Sequence, residues 1–271
     1  QVNLSADLVE APFAIADIES LHVEAVYERG AVDIRDLDLR TQYGRLLASG
    51  RVAHPGAPVK EYWPGASLDL ELEIPEGDWS FMDQFKLPSL KRLNGQFAGR
   101  VRVTGTTDDP RVDGSLRSAP FNIHWLHLDE LTGSVHADRD QLALGDLVAV
   151  QDDLRMNGRL EIPVKLDFLS EPTSPLDGPF LMEIEIPEGS DLGALTHATN
   201  AFASSSGTGQ AHVRVSGPLR HPRYEGWARV RDAGFVIKHL EEGYSEASCD
   251  ATFSGDVVTL ANISGREGLA G

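Results

Sequence analysis

The chain repeats itself, and the repeat limits what it can fold into. Ile74-Pro75-Glu76-Gly77 recurs 112 residues later as Ile186-Pro187-Glu188-Gly189, and Leu70–Glu73 (LELE) before it answers Met182–Glu185 (MEIE). Downstream, Gly99–Gly105 (GRVRVTG) answers Ala211–Gly217 (AHVRVSG), Pro110 answers Pro222, and Gly114 answers Gly226. Leu131–Leu144 runs parallel to Ala247–Leu260 at an offset of 116, and Gly50-Arg51-Val52 answers Gly158-Arg159-Leu160 at 108. Roughly two and a half copies of one unit are present. Such a chain is expected to stack copies that bury their apolar sides only together. The expected boundaries are a partial repeat over 1–67, a full repeat over 68–179 and a truncated one over 180–271.

Within each unit the hydrophobic period is two. Leu68, Leu70, Leu72 and Ile74 alternate with Ser67, Asp69, Glu71 and Glu73, and Val101 and Val103 alternate with Arg100, Arg102 and Thr104. Alternation of this kind marks strands with one dry face and one wet face. Turn signals at Gly105–Pro110, Asp138–Asp140 and Ser254–Asp256 separate the runs, giving an antiparallel meander of about five or six strands per unit. Two stretches break the period. Trp79, Met82, Phe85, Leu90 and Leu93 in one copy, and Leu192, Leu195, Thr199 and Phe202 in the other, have spacings near three and four. They predict short helices over about 78–93 and 191–203, with Asp78 and Asp191 as N-caps and Pro88 interrupting the first. Ser204–Gly209 (SSSGTG) reads as a flexible linker from helix to strand.

The alternation also defines the dry face. In the first copy it comprises Val23, Val32 and Ile34. The second contributes Leu68, Leu70, Leu72, Ile74, Val101, Val103, Val112, Leu116, Val135, Leu142, Leu144, Met156, Leu160 and Ile162. The third contributes Ile184, Ile186, Val213, Val215, Val230, Val258 and Leu260. A single sheet cannot leave such a face in water, so it must curl, pair or be covered.

Charge narrows the function. The chain of 271 residues carries 24 basic and 42 acidic side chains, for a formal net charge of −18. That balance argues against nucleic acid and against docking on anionic head groups, both of which need basic patches. A lone cysteine, Cys249, excludes an internal disulfide framework; alternating with Ala251 and Phe253, it is expected to pack as a small hydrophobe. No segment resembles a signal peptide, and no apolar stretch approaches the roughly 20 residues of a membrane span. The chain is expected to be an interior piece of a longer protein.

The run Gly99–Gly114 (GRVRVTGTTDDPRVDG), its second copy Gln210–Gly226 and the closing element Tyr43–Gly50 (YGRLLASG) resemble the repeat of the TamB and AsmA-like family. The resemblance covers about the whole chain. It implies an all-β, elongated antiparallel repeat sheet curled into a U-shaped groove (a β-taco), with the aliphatic face lining the groove. It further implies a parent protein anchored in the inner membrane of a diderm bacterium and crossing the periplasm. Members are implicated in moving phospholipid to the outer membrane and in assembling outer-membrane proteins. The implied partners are phospholipid acyl chains and, through the parent chain, an outer-membrane assembly protein, with membrane contact only through parts of the parent outside this segment.

Two other readings stand beside this one. The aliphatic face could be the closed core of a sandwich, and the chain a structural repeat whose sheet edge pairs with client strands of outer-membrane proteins. An enzyme is not expected, because no nucleophile elbow, zinc-protease motif or phosphate loop occurs. His124, His127 and Asp129 have a metal-like spacing, but on a strand 124 and 127 point to opposite faces. Neither metal nor cofactor is expected. The glutamate pairs Glu71/Glu73 and Glu183/Glu185 recur on the wet face, where solvation explains them.

Overall fold

The structure, a computed structural model, describes residues 2–13, 16–54, 65–80, 93–123, 126–164, 179–198, 202–218, 221–238 and 243–268. Among these, sixteen strands form one open sheet. They are β1 (Val2–Phe13), β2 (Ala16–Glu28), β3 (Ala31–Thr41), β4 (Gly44–Ala53), β5 (Ser67–Asp78), β6 (Leu93–Thr106), β7 (Pro110–Ile123) and β8 (Leu126–Leu128). The second half holds β9 (Glu130–Ala137), β10 (Gln141–Gln151), β11 (Leu154–Pro163), β12 (Pro179–Asp191), β13 (Phe202–Pro218), β14 (Arg223–Ile237), β15 (Gly243–Gly255) and β16 (Val257–Glu267). Each strand hydrogen-bonds to its neighbour in sequence, except that β7 also pairs with β9 and β8 lies off this path against β7. The all-β antiparallel reading therefore holds.

Local chemistry explains the meander. At the β6–β7 turn the Asp109 amide donates to Thr106 O (3.2 Å) and Thr106 Oγ1 (3.1 Å). At the β9–β10 turn Asp138 Oδ1 accepts from the amides of Asp140 and Gln141, both at 2.9 Å, an Asx turn. Each is a polar side chain doing a backbone group's work where the strand pattern stops.

The described residues cover parts of the two expected helices. Asp78 ends β5, and its Oδ1 accepts from the Ser80 amide at 2.8 Å; Trp79 and Ser80 form a single 3-10 turn, and 81–92, the body of the expected first helix, lie outside the described residues. Of the second, expected over 191–203, the described residues show a 3-10 turn (Leu192–Ala194) and α1 (Leu195–Ala198), and 199–201 lie outside them. Asp191 is its N-cap, accepting from Gly193 N at 2.8 Å. Phe202 already belongs to β13, and so does the supposed linker Ser204–Gly209. Ser205 draws the turn onto that strand, its Oγ lying 2.8 Å from Leu192 O and 2.8 Å from Thr196 Oγ1.

Contacts divide the chain into two compact units. One comprises Gln1–Ser118, Gly133–Ala143 and Pro163–Leu176; the other comprises Ala119–Thr132, Leu144–Ile162 and Asp177–Gly271.

Candidate functional site: an apolar sheet face in each unit

In the first unit, strand register assembles the dry residues into rows. Tyr27, Val32, Val52 and Leu68 stand side by side across β2 to β5. Ala25, Ile34, Gly50, Leu70 and Val103 form the next row, reaching β6. Val23, Leu37, Ala48, Leu72 and Val101 form the third, and Ile74 pairs with Gly99 beyond it. Val2, Leu4 and Ala6 of β1 extend these rows beside Tyr27, Ala25 and Val23. Because paired residues of antiparallel strands share a face, this is one continuous aliphatic surface.

The second unit builds the same surface from other strands. Leu160, Met182, Val215 and Tyr224 lie in one row across β11 to β14, and Gly158, Ile184, Val213, Gly226, Phe253 and Val258 in the next, reaching β16. Ile186, Ala211, Ala228, Ala251 and Leu260 form a third, and Val230 pairs with Cys249, which places the cysteine on the apolar face. Leu116, Val135 and Leu142 belong to β7, β9 and β10 of the first unit; Leu144, Met156 and Ile162 belong to β10 and β11 of the second.

Burial along this surface is uneven. Of the 24 expected groove residues, three are buried, namely Leu68 (8%), Val103 (3%) and Val215 (5%). Two, Val258 and Leu260, are exposed, and the other nineteen are half-buried. A sandwich core of the same strands would bring nearly all of them below a tenth exposed. Tight packing is local. In the first unit Val52, Ala66, Leu68 and Val103 form a buried cluster with Tyr27, Val32, Leu70, Leu72 and Val112 around it.

Large side chains delimit the faces. Trp79 lies against Phe97, ring centroids 4.5 Å apart, and Phe97 stands opposite Gly77 at the end of its row. Trp79 Nε1 donates to Ser118 Oγ (2.8 Å), and that fully buried hydroxyl donates to Gln96 O (2.8 Å). In the second unit Leu192 takes the corresponding place, so close over Gly209 that a Cβ there would meet Leu192 Cδ2 at 2.7 Å. Phe202, Phe235 and Tyr244 form an aromatic group on β13 to β15, with centroids 6.1 and 5.2 Å apart. Sequence reasoning assigned no role to Ala66, Phe97 or Phe235, although Ala66 is in phase with Leu68 and Leu70 and Phe97 with Val101 and Val103.

The opposite face is laced with ion pairs. Arg45 binds Asp38 through two hydrogen bonds (2.9 and 2.7 Å), Arg100 binds Glu73 (2.6 Å) and Arg102 binds Asp69 (2.8 Å). In the second unit Glu183 sits between Arg159 (2.8 Å) and Arg214 (3.5 Å). The Arg45 hydrogen bond holds the Asp38 carboxyl below the usual range, and that of Arg159 does the same for Glu183. The pairs of Arg100 and Arg102 are solvent-exposed and contribute little to stability, whereas Asp38 and Glu183 are half-buried. Their effect is to keep this face wet and the register fixed.

Two clefts interrupt that face, the second with Leu147, Val148 and Ile184 also in its lining. The first, of about 300 Å³, is lined by Arg35, Asp36, Ser49, Glu71, Glu73 and Arg100 among others. The second, of about 400 Å³, is lined by Asp146, Asn157, Arg159, Glu183, Glu185 and His212 among others. Their glutamates and Arg100/His212 correspond at the 112-residue offset. The recurring carboxylates thus line notches beside arginine or histidine. Of the metal-like trio, His124 lies outside the described residues, and His127 Nδ1 sits 2.9 Å from Asn122 Oδ1. Among the described residues no group of three or more His, Cys, Asp and Glu side chains is arranged to hold a metal ion.

Fold and site together define an open antiparallel β-sheet protein whose two units each carry an aliphatic and an ion-paired face. No family model matches the chain, and neither a curated protein nor a solved structure matches it.

Proposed function

We propose that the aliphatic face binds the acyl chains of lipids, and that the protein works without chemistry as a lipid-conducting segment. One observation carries the reading: within each unit, aliphatic residues that adjoin in register, among them Val32, Ile34, Leu70, Leu72 and Val101 in the first and Leu160, Ile184 and Val213 in the second, are only half-buried. A contiguous apolar surface left accessible over that many strands is a binding surface. A tail of about 16 carbons buried at roughly 0.8 kcal/mol per methylene gains at most about 12 kcal/mol. A single site of that depth would trap its ligand; repeated, near-identical rows make neighbouring positions similar in energy, so a tail slides from one to the next.

The resemblance of Gly99–Gly114 and Gln210–Gly226 to the TamB and AsmA-like repeat supports the fuller form of the proposal. In that form the segment lies in the periplasm of a diderm bacterium and conducts phospholipid toward the outer membrane. No helix among the described residues is long and apolar enough to cross a membrane.

The test is uptake of a fluorescent phospholipid by delipidated protein. Saturable uptake that falls in Leu72→Asp and Leu144→Asp, with the β-sheet circular dichroism kept, is the expected result. Absence of uptake by the folded wild-type protein would overturn the proposal.

A further inference from the structure

On the ion-paired face of the second unit, one row of side chains is left unbonded. Asn157, Glu185, His212, Trp227 and Thr252 stand side by side across β11 to β15. Paired residues share a face and neighbouring strands lie about 4.8 Å apart, so the row is about 19 Å long. Among the described residues none of its side chains makes a hydrogen bond or ion pair, and the indole N–H of Trp227 meets no acceptor. The adjacent row is committed, with Glu183 held by Arg159 (2.8 Å) and Arg214 (3.5 Å).

The first copy closes the same positions. Glu73 and Arg100, which answer Glu185 and His212 at the 112-residue offset, are joined at 2.6 Å. His136, which answers Thr252 at 116, lies 2.6 Å from Asp113. Ser115 stands where the second copy has Trp227. Histidine in place of arginine thus frees a carboxylate, and tryptophan in place of serine sets a ring on a hydrated face. A large apolar side chain there gains the fold little and marks a contact surface. Trp227 is half-buried, and the Arg229 guanidinium lies 4.8 Å from its ring centroid, which steadies the ring. Its neighbour His212 lines the cleft of about 400 Å³ together with Asn157 and Glu185, so ring and cleft adjoin.

We propose that this row binds a short oligosaccharide of β-linked hexopyranoses. A pyranose with equatorial hydroxyls has an apolar C–H face, which packs on an indole, and a rim of hydroxyls that both donate and accept. Trp227 takes the C–H face. Glu185 accepts, the indole N–H donates, and Asn157, His212 and Thr252 do both. Charge favours a neutral ligand: three carboxylates (Asp146, Glu183 and Glu185) stand among three arginines (Arg159, Arg214 and Arg229), so neither sign is in surplus. The site is independent of the lipid reading, because it uses the opposite face of the sheet.

Calorimetric titration of the intact chain with cellotriose and with tri-N-acetylchitotriose tests this. Saturable binding of one or both is expected, weakened at least tenfold in Trp227→Ala and in His212→Arg, with the circular dichroism of each variant unchanged. The histidine variant restores the glutamate–arginine pair of the first copy, so it removes the free groups while adding a contact the fold already uses. No binding of either trisaccharide to the folded wild-type chain overturns the proposal, and so does undiminished binding by either folded variant. Displacement of the sugar by poly-glutamate or poly-lysine would make the row an ion site and overturn it as well. The assay contains no lipid, so its failure leaves the lipid reading standing.

Discussion

Two aspartate substitutions on one face separate a sealed core from an accessible surface. Val103 is 3% exposed inside the cluster of Val52, Ala66 and Leu68. Val103→Asp forfeits about 1.5–3 kcal/mol of burial and leaves a carboxylate unpaired in an apolar site, a further several kcal/mol. The sum reaches about 5 kcal/mol, the lower end of the net stability of a folded domain. Leu72 lies on the adjacent row, half-buried between Ala48 and Val101. Leu72→Asp loses only part of one leucine's transfer energy, about 1 kcal/mol, and its carboxylate stays hydrated. Urea unfolding monitored by tryptophan fluorescence and circular dichroism gives the comparison. Val103→Asp is expected to be largely unfolded in buffer, whereas Leu72→Asp shifts the midpoint slightly. Equal loss in the two variants would refute the reasoning, because Leu72 would then lie in a core as dry as that of Val103.

Three other substitutions probe a close approach between strands, the aromatic border and the charged face. Gly50→Ala places a Cβ 2.2 Å from Asp69 O at φ +132°, so it is expected to lower stability by about 3 kcal/mol or more in thermal unfolding. Trp79→Phe removes the indole N–H donated to Ser118 Oγ and is expected to cost about 1 kcal/mol by the same measurement. His22 Nδ1 lies 2.6 Å from Asp7 Oδ1, and that hydrogen bond raises the imidazole above its ordinary pKa, so NMR titration of Asp7→Asn should show it falling. The sign of the linkage is set by a raised folded-state value: the pair's contribution is complete below the ordinary histidine pKa and is lost as pH rises through the folded one.

The alternation at Leu68, Leu70, Leu72 and Ile74 made the strands and their dry face legible, because a period of two is the direct imprint of a sheet with unlike sides. The far end of the second helix was misplaced for a related reason. Leu192, Leu195 and Phe202 have helical spacing, but Phe202 already belongs to β13, and Ser205 of that strand holds the turn through Leu192 O. Spacing alone carries no sign of that side-chain hydrogen bond. The register shift at Arg35-Asp36 was also hidden, since it has no sequence signature, and the cleft beside it depends on the register of β3 to β6. How buried each aliphatic side chain is was illegible for the same reason. Leu68 and Leu70 are neighbours in one pattern, yet the first is in the packed cluster and the second at its border.

Native mass spectrometry of the purified protein tests the central claim most directly. Co-purified phospholipid is predicted at mass increments that organic extraction removes, that re-addition of phospholipid restores, and that Leu72→Asp and Leu144→Asp weaken. A folded protein that flies as the bare chain, before extraction and after lipid is added back, would contradict it.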